Sequence, residues 1–505
     1  MYKRQTYSVS PTQSETFTET PTFSITATSS RTLSGVVNVG IVDARGVIEP
    51  QVTIKAVSLS YVAELRTAAS LAAGSYSGHL EVRLCRDTPS VCAQPVEGSP
   101  WSVPYRFTVL AATNATPLTP LAGAGAWSTY QGNAAHTGHV DAAVQAANFN
   151  RRWVVPAQVG SLAVEDGRVI VAPPGNQFGA VVALAEHDGA QQWRFGSSDS
   201  FSGVASGGGR VWFMHQALFD PQLTTHLRSL DAGTGQTQSA VAVSQFSRPE
   251  RLAPVVLQDS VFLAADGYNS ISRHLAADGS QQWQAIHPVK PNAAIRWTPA
   301  VGGGRALMFD YHRLWWADAT TGAALGSIDG PNLNNASGIW TVSGAPVLGS
   351  GSLVYVTAYY DNGFANGAGR LVAFDLATQT VAWNVGTTVR SNPVLAGNVV
   401  YVVVTGRALQ AHDAGTGALL WRWDAPALPP STTPEPSPTG VTEANQPLVA
   451  VGNLAFVGLG DTTYAVDLGT QRSVWQYPAA GPMAVSANGT LFIGTADKLH
   501  AINLR

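Results

Sequence analysis

The chain has 505 residues, 45% of them hydrophobic and only 12% charged, with a formal net charge of −3 at pH 7. With no basic block, no acidic tail and no run of 18 apolar residues, neither electrostatic capture of nucleic acid or an anionic membrane surface nor a spanning helix is expected. Fifty glycines, four methionines and the lack of a sustained helical period point to an all-β protein with many tight turns, long enough for two or three domains.

Residues 1–14 are polar and are expected to be disordered. The opening MYKRQTYSVS has no apolar stretch that would serve as an export signal. From 15 to 111 short runs such as TFTETPTFSITATS, SGVVNVGIVDA, QVTIKAVSLSYV, GSYSGHLEVRLC and WSVPYRFTVLA are separated by Gly, Pro, Ser or Asp. About seven short strands in about 100 residues fit an immunoglobulin-like sandwich. The two cysteines, Cys85 and Cys92, flank a polar Asp-Thr-Pro-Ser tip, with strand-like residues on both sides. No other cysteine competes, so a disulfide closing a hairpin is expected, worth about 2–3 kcal/mol through the unfolded chain. With no histidine near the pair, zinc is not expected there. A disulfide implies an oxidising compartment, hence a periplasmic or extracellular protein. An export signal or lipid-attachment cysteine is then expected to be missing from this sequence. Residues 112–126, rich in Ala, Thr, Pro and Gly and free of charge, read as a linker.

From 127 to 505 the sequence repeats. One phrase, an apolar run such as GSLAVEDGRVIV or SNPVLAGNVVYVV, occurs eight times. A second, an apolar strand, a turn on Asp or Gly, and a further strand that carries Trp in five copies, follows it seven times; its cleanest copy is Leu409 to Trp423. The missing eighth copy is supplied from the front, where Asn148–Ala157 carries Arg-Arg-Trp153. Repeats of about 44 residues, one completed by an N-terminal strand, predict an eight-bladed closed β-propeller. The Pro-rich stretch at 425–445 reads as an extended excursion between repeats.

Seven aspartates recur at the turns: Asp188, Asp231, Asp278, Asp318, Asp375, Asp413 and Asp467. One per repeat, they cannot converge on a single ion; each is expected to accept backbone N–H bonds across its turn, with Gly, as at Gly417, supplying positive φ. Trp153, Trp193, Trp283, Trp383, Trp421 and Trp475 fall at equivalent outer positions, where each ring is expected to pack between blades. Ser239 and Gly326 replace it in two repeats.

The pattern Leu-x-Ala-x-Asp-x-x-Thr-Gly followed by x-x-x-Trp, as in Leu409–Gly417 and Trp421, resembles the pyrroloquinoline-quinone-type propeller repeat, and WSTYQGNAAHTGHV at Trp127 resembles that family's lead-in. The resemblance covers about residues 125–505. LAAGSYSGHLEVRLC is similar to a strand entry of bacterial Ig-like modules. The propeller resemblance implies one of two branches. Quinoprotein dehydrogenases hold a calcium-bound quinone at the axis, often under a vicinal Cys-Cys disulfide, with Glu, Asn and Asp on the calcium. Non-catalytic propellers are similar to the lipoprotein of the bacterial outer-membrane assembly machine. Residues 127–505 hold no cysteine, few acidic residues at blade entries and no C-x-x-C-H. The second branch is therefore expected, with no catalytic residue, no metal, and neither quinone nor calcium.

Polar and aromatic groups stand just ahead of the innermost strands: Arg296, Trp297, Trp340, Arg390, Asn392 and Asn445. Gathered at one mouth of the central channel, they are the candidate binding residues. The expected function is a non-catalytic exported scaffold, monomeric, whose propeller rim recognises a protein or glycan partner in the cell envelope. A quinone-dependent dehydrogenase and a surface adhesin or carbohydrate binder are the alternatives.

Overall fold

The computed structural model describes residues 22–28, 35–49, 52–57, 60–68, 74–109, 116–174, 177–217, 222, 224–244, 253–265, 270–286, 298–310, 313–331, 345–360, 368–426 and 447–505. All regular structure among them is β, apart from two single 3-10 turns, Tyr130–Gly132 and Ala146–Asn148. No helix of the described residues is long and apolar enough to cross a membrane. The chain divides into two compact units, Met1–Asn114 and Ala115–Arg505.

The described residues of the first unit form two three-stranded antiparallel sheets. One joins Thr22–Thr28, Ser60–Arg66 and Thr53–Val57; the other joins Asn38–Val42, Gly74–Cys85 and Trp101–Val109. The alternation of HLEVRL sends Leu80, Val82 and Leu84 inward, where they share one core with Ile25, Leu65 and Val103 from both sheets. The run QVTIKAVSLSYV is not one strand but a hairpin, with Val57 opposite Ser60. The disulfide between Cys85 and Cys92 is formed. It does not bridge two strands, however. Cys85 ends its strand, whereas Cys92 sits in a turn at φ 48°, its N–H donating to Thr88 O. The carboxylate of Asp87 accepts the next two amides, from Ala93 and Gln94, so the tip is closed by hydrogen bonds as well as by sulfur.

The described residues of the second unit form eight four-stranded antiparallel modules. In the first, Ser161–Glu165, Arg168–Ala172, Gly179–Ala185 and Gln191–Phe201 pair in that order. The next six follow the same plan at 205–244, 255–286, 300–329, 347–389, 394–424 and 448–477. The eighth takes Met483–Val485, Thr490–Gly494 and Lys498–Asn503 from the C-terminal end and its fourth strand, Asn150–Pro156, from far upstream; Trp153 lies opposite Ala501. Long outer strands stitch neighbours together: Phe201 pairs with His215 of the second module, and Val389 with Val404 of the sixth.

Burial follows strand position. Second strands such as RVWFMHQ and VVYVVV are buried on both faces, which is why they read as nearly unbroken apolar runs. Fourth strands such as LLWRWD stand mostly in solvent. Between modules lie continuous cores; the largest runs through Trp212, Leu227, Val261, Leu307, Trp315, Val354 and Phe374.

The innermost strands touch in sequence: first to second, second to third, third to fourth, fourth to fifth, sixth to seventh and seventh to eighth. That of the eighth lies beside that of the first.

Candidate functional site

An innermost strand is an edge strand, with unpaired N–H and C=O groups pointing away from its module. In this unit the lead-in WSTYQGNAAHTGHV meets those edges one after another. Trp127 exchanges both backbone bonds with Val164 of the first module. Ser128 O accepts from Ser206 of the second, and the Thr129 hydroxyl donates to Pro254 O before the third. Ala134 O takes the amide of Val301, Ala135 O that of Leu348 and Thr137 O that of Leu395, in modules four, five and six. Gly138 O and Val140 O take the amides of Ala450 and Gly452 in the seventh, where His139–Val140 forms a short parallel strand. The eighth is reached from slightly upstream, Leu121 N–H donating to Ala487 O at 2.8 Å. Residues 121–140 thus bond to all eight modules.

The path demands sharp reversals. Gln131 and His136 adopt φ of 51° and 57°, and Gly132 and Gly138 φ of 90° and 64°. A Cβ on Gly138 would stand 2.7 Å from the Val394 side chain, so glycine is required there twice over.

Where the lead-in passes the fifth and sixth modules it carries buried polar side chains. Tyr130 packs edge-on against the His136 ring, centroids 5.7 Å apart. The amide nitrogen of Asn392 donates to the Tyr130 hydroxyl, and Gln131 Nε2 donates to Pro393 O at 2.7 Å. His136 is fully buried and its Nδ1–H donates to Pro346 O at 3.2 Å. Burial pushes its pKa down to about 4, against the opposing pull of that carbonyl, so the ring is neutral near pH 7. Burial likewise raises the Tyr130 phenol well above its ordinary range.

Two of the six residues singled out from the sequence lie here. Arg390 is half-buried and its N–H donates to Val403 O. Asn392, buried, is turned inward on Tyr130, so it fastens the lead-in. The intervening Ser391 is pinned by two bonds, accepting from Val403 N and Thr357 Oγ1. Arg296, Trp297, Trp340 and Asn445 lie outside the described residues, as does most of the Pro-rich stretch. The circuit of the lead-in was hidden from sequence reading, because its bonds are made by backbone to residues up to hundreds of positions away. Only its two glycines and their neighbours of small side chain gave any local sign.

The turn aspartates do not converge. At Asp231, Asp318, Asp413 and Asp467 the carboxylate accepts the N–H and hydroxyl of the threonine three residues on. Asp188 and Asp278 sit elsewhere in their turns and accept from Ala190 and Ser280. Among the described residues, one trio of His, Cys, Asp or Glu already has its ligand atoms within 4.8 Å of one another: Cys85, Asp87 and Cys92. Both sulfurs there are spent in the disulfide, so the trio does not fit a metal.

The repeated four-stranded modules and the lead-in that serves them define a β-propeller repeat protein of the quinoprotein-like type. The family model described as outer membrane protein assembly factor BamB matches residues 136–383 and 363–486, and the chain belongs to that family. Among solved structures, BamB from Moraxella catarrhalis is similar at 17% identity and a TM-score of 0.52, covering 70% of this chain and 99% of its own. A europium-containing methanol dehydrogenase (11% identity, TM-score 0.49, 75% and 98% covered) and the computationally designed Ika8 protein (13%, 0.49, 69% and 96%) also align. Comparison with curated proteins finds no match.

Proposed function

We propose that this chain is a non-catalytic scaffold of the bacterial cell envelope, exported to the periplasm or beyond, whose propeller binds a protein partner. Membership of the assembly-factor family supports the role. The observation that carries it is the lead-in: it bonds to the inner edges of all eight modules, so the centre of the molecule is built for rigidity. Recognition then falls to the rim.

The eight modules are read as a closed disc. Pairing of Asn150–Pro156 with Lys498–Asn503 supports this, as does contact between the innermost strands of modules eight and one. Two sheets over one core support an Ig-like sandwich for the first unit, a spacer or second contact module. In this reading residues 112–126 are less a free linker than an approach: Thr116 O and Pro120 O accept from Arg152 and Arg505, and Leu121 is bonded to Ala487. Arg390, together with Arg296, Trp297, Trp340 and Asn445, is proposed to bind the partner, while Asn392 holds the lead-in. The partner is a protein; a glycan is the alternative that the same aromatic residues allow.

The test is site-specific photo-crosslinking in intact envelopes, with the crosslinking amino acid placed at Arg390 or, as control, at Gly303 on a tight turn. One dominant protein adduct from position 390 alone is expected. Equal labelling from both positions, or none from either, would overturn the rim reading. Binding of quinone with calcium and dye-linked alcohol oxidation by the purified protein would overturn the non-catalytic one.

A further inference from the structure

Three half-buried arginines of the fifth and sixth modules, Arg370, Arg390 and Arg407, have guanidinium groups with no carboxylate or other acceptor among the described residues. Strand pairing sets them at one end of the sheet. Gly369 pairs with Val389, and Val389 with Val404. Arg370 and Arg390 each stand one residue along from that row, and Arg407 follows Val404 by way of a tight turn. The turn is tied to the fifth module. Thr405 donates its N–H and hydroxyl to Thr388 O at 2.9 and 3.2 Å, and Arg390 N–H donates to Val403 O at 2.7 Å. A fourth guanidinium, that of Arg422, has Nη2 3.7 Å from the point where a Cβ on Gly406 would stand.

Gly406 and Arg407 have φ of 84° and 59°. At Arg407 that left-handed backbone favours glycine, and strain of this kind collects at ligand clamps. Its side chain gains no ion pair in return. Nε is buried without a partner, and Nη1 lies 3.3 Å from where a Cβ on Gly460 of the seventh module would stand. The carboxylates nearby are already used: Asp424 accepts from Arg422 Nε and Nη2 at 2.9 and 2.7 Å, and Asp461 accepts from the Thr462 hydroxyl. Four guanidinium groups set against two carboxylates make this corner positive in a chain whose net charge is −3.

We propose that this corner docks an acidic segment of the protein partner, a stretch of Asp and Glu side chains lying across the turn Thr405–Arg407. Guanidinium forks bind carboxylates through paired N–H groups, and the forks of Arg370, Arg390 and Arg407 are unspent. Their spread over two modules suits an extended segment better than one small anion. Complementary charge of this kind steers the encounter and fixes its register. The inference rests on the rim reading through Arg390, and adds to it the partner's charge and two further residues, Arg370 and Arg407.

Full-length protein is titrated with fluorescein-labelled oligo-glutamate, with oligo-lysine and with phosphatidylglycerol vesicles. Binding of the glutamate peptide alone is expected. Arg370→Gln and Arg407→Gln should each weaken it at least about threefold, as should raising sodium chloride from about 50 to about 200 mM. Arg305→Gln, at the opposite end of the strands, should leave it unchanged, and unfolding midpoints check that all three variants remain folded. No binding of the glutamate peptide, equal binding of oligo-lysine or of the vesicles, or equal loss in Arg305→Gln would overturn the assignment. The adduct crosslinked from position 390 separates the two readings. A protein adduct whose crosslinked stretch is not acidic would leave the rim reading standing and remove this one.

Discussion

Trp153 lies against the turn glycine of the following module, Gly189, and Trp193, Trp283 and Trp383 do the same at Gly235, Gly322 and Gly417. At each glycine a Cβ would come within 2.9 Å of the indole, and φ lies between 70° and 74°. The indole N–H of Trp153, Trp193 and Trp383 then donates to a carbonyl of the same turn. The tryptophan and the glycine are thus one contact written in two consecutive repeats. Where Gly326 replaces Trp, the next turn carries Gln379 in the same left-handed conformation. In the seventh module the left-handed turn position is Gln471, and Trp421 of the sixth stays half-exposed. Gly417→Ala should therefore cost about 2–4 kcal/mol, from the left-handed backbone and from overpacking of Trp383. Gly303→Ala, with φ of 56° but open space around it, should cost only about 1 kcal/mol. Urea unfolding of the two variants checks this; equal losses would refute the packing argument.

At the scale of elements, the strand Asn150–Pro156 is held into the eighth module by more than its ladder. Arg152 is 1% exposed and donates to Glu186 O, His187 O, Asn503 Oδ1 and Thr116 O. It therefore links the upstream strand to the first module, to the C-terminal strand and to the approach segment. The buried carboxylate of Glu186 reaches across the same seam, accepting from the Ser486 hydroxyl and the Asn488 amide. Removing the guanidinium orphans several buried acceptors, so Arg152→Ala should lower stability by about 3 kcal/mol. Arg152→Lys should not restore it, because a single ammonium cannot reach groups spread around a planar fork. Thermal unfolding followed by tryptophan fluorescence reads both; an unchanged midpoint in Arg152→Ala would show that the ladder alone suffices.

For the whole molecule, the buried histidines set the response to acid. Burial pushes His136 and His500 down to about 4, with Lys498 and Arg151 adding to the effect at His500, and burial lowers His274 and His412 as well. Each of these pKa values is lower in the folded chain than the ordinary 6.5. Between pH 6.5 and about 4 the unfolded chain therefore binds more protons, and the folded state loses stability as pH falls through that window. Above 6.5 the contribution is complete. For His136 and His500 it is on the order of 3 kcal/mol each. Carboxylates such as Asp413, held below their usual range by the Thr416 hydroxyl and amide, add a further loss only at lower pH. The unfolding midpoint should fall steadily from pH 6.5 to 4, and His136→Gln with His500→Gln should flatten that slope. An unaltered slope in the double variant would contradict it.

Repeat number, the turn chemistry at Asp413 and Gly417, the outer tryptophans and the cysteine pair were all legible in the amino-acid order, because each is a local pattern or a fixed period. QVTIKAVSLSYV reads as one run because no glycine or proline interrupts it, yet Thr53–Val57 pairs with the strand that starts at Ser60. The rim residue Asn392 misled in a different way, since nothing near it in sequence reveals Tyr130 as its partner. Tertiary structure alone decided the circuit of the lead-in and the Arg152 seam. These join side chains and edges that only closure of one module on another brings together, and edge satisfaction leaves no periodic trace in sequence.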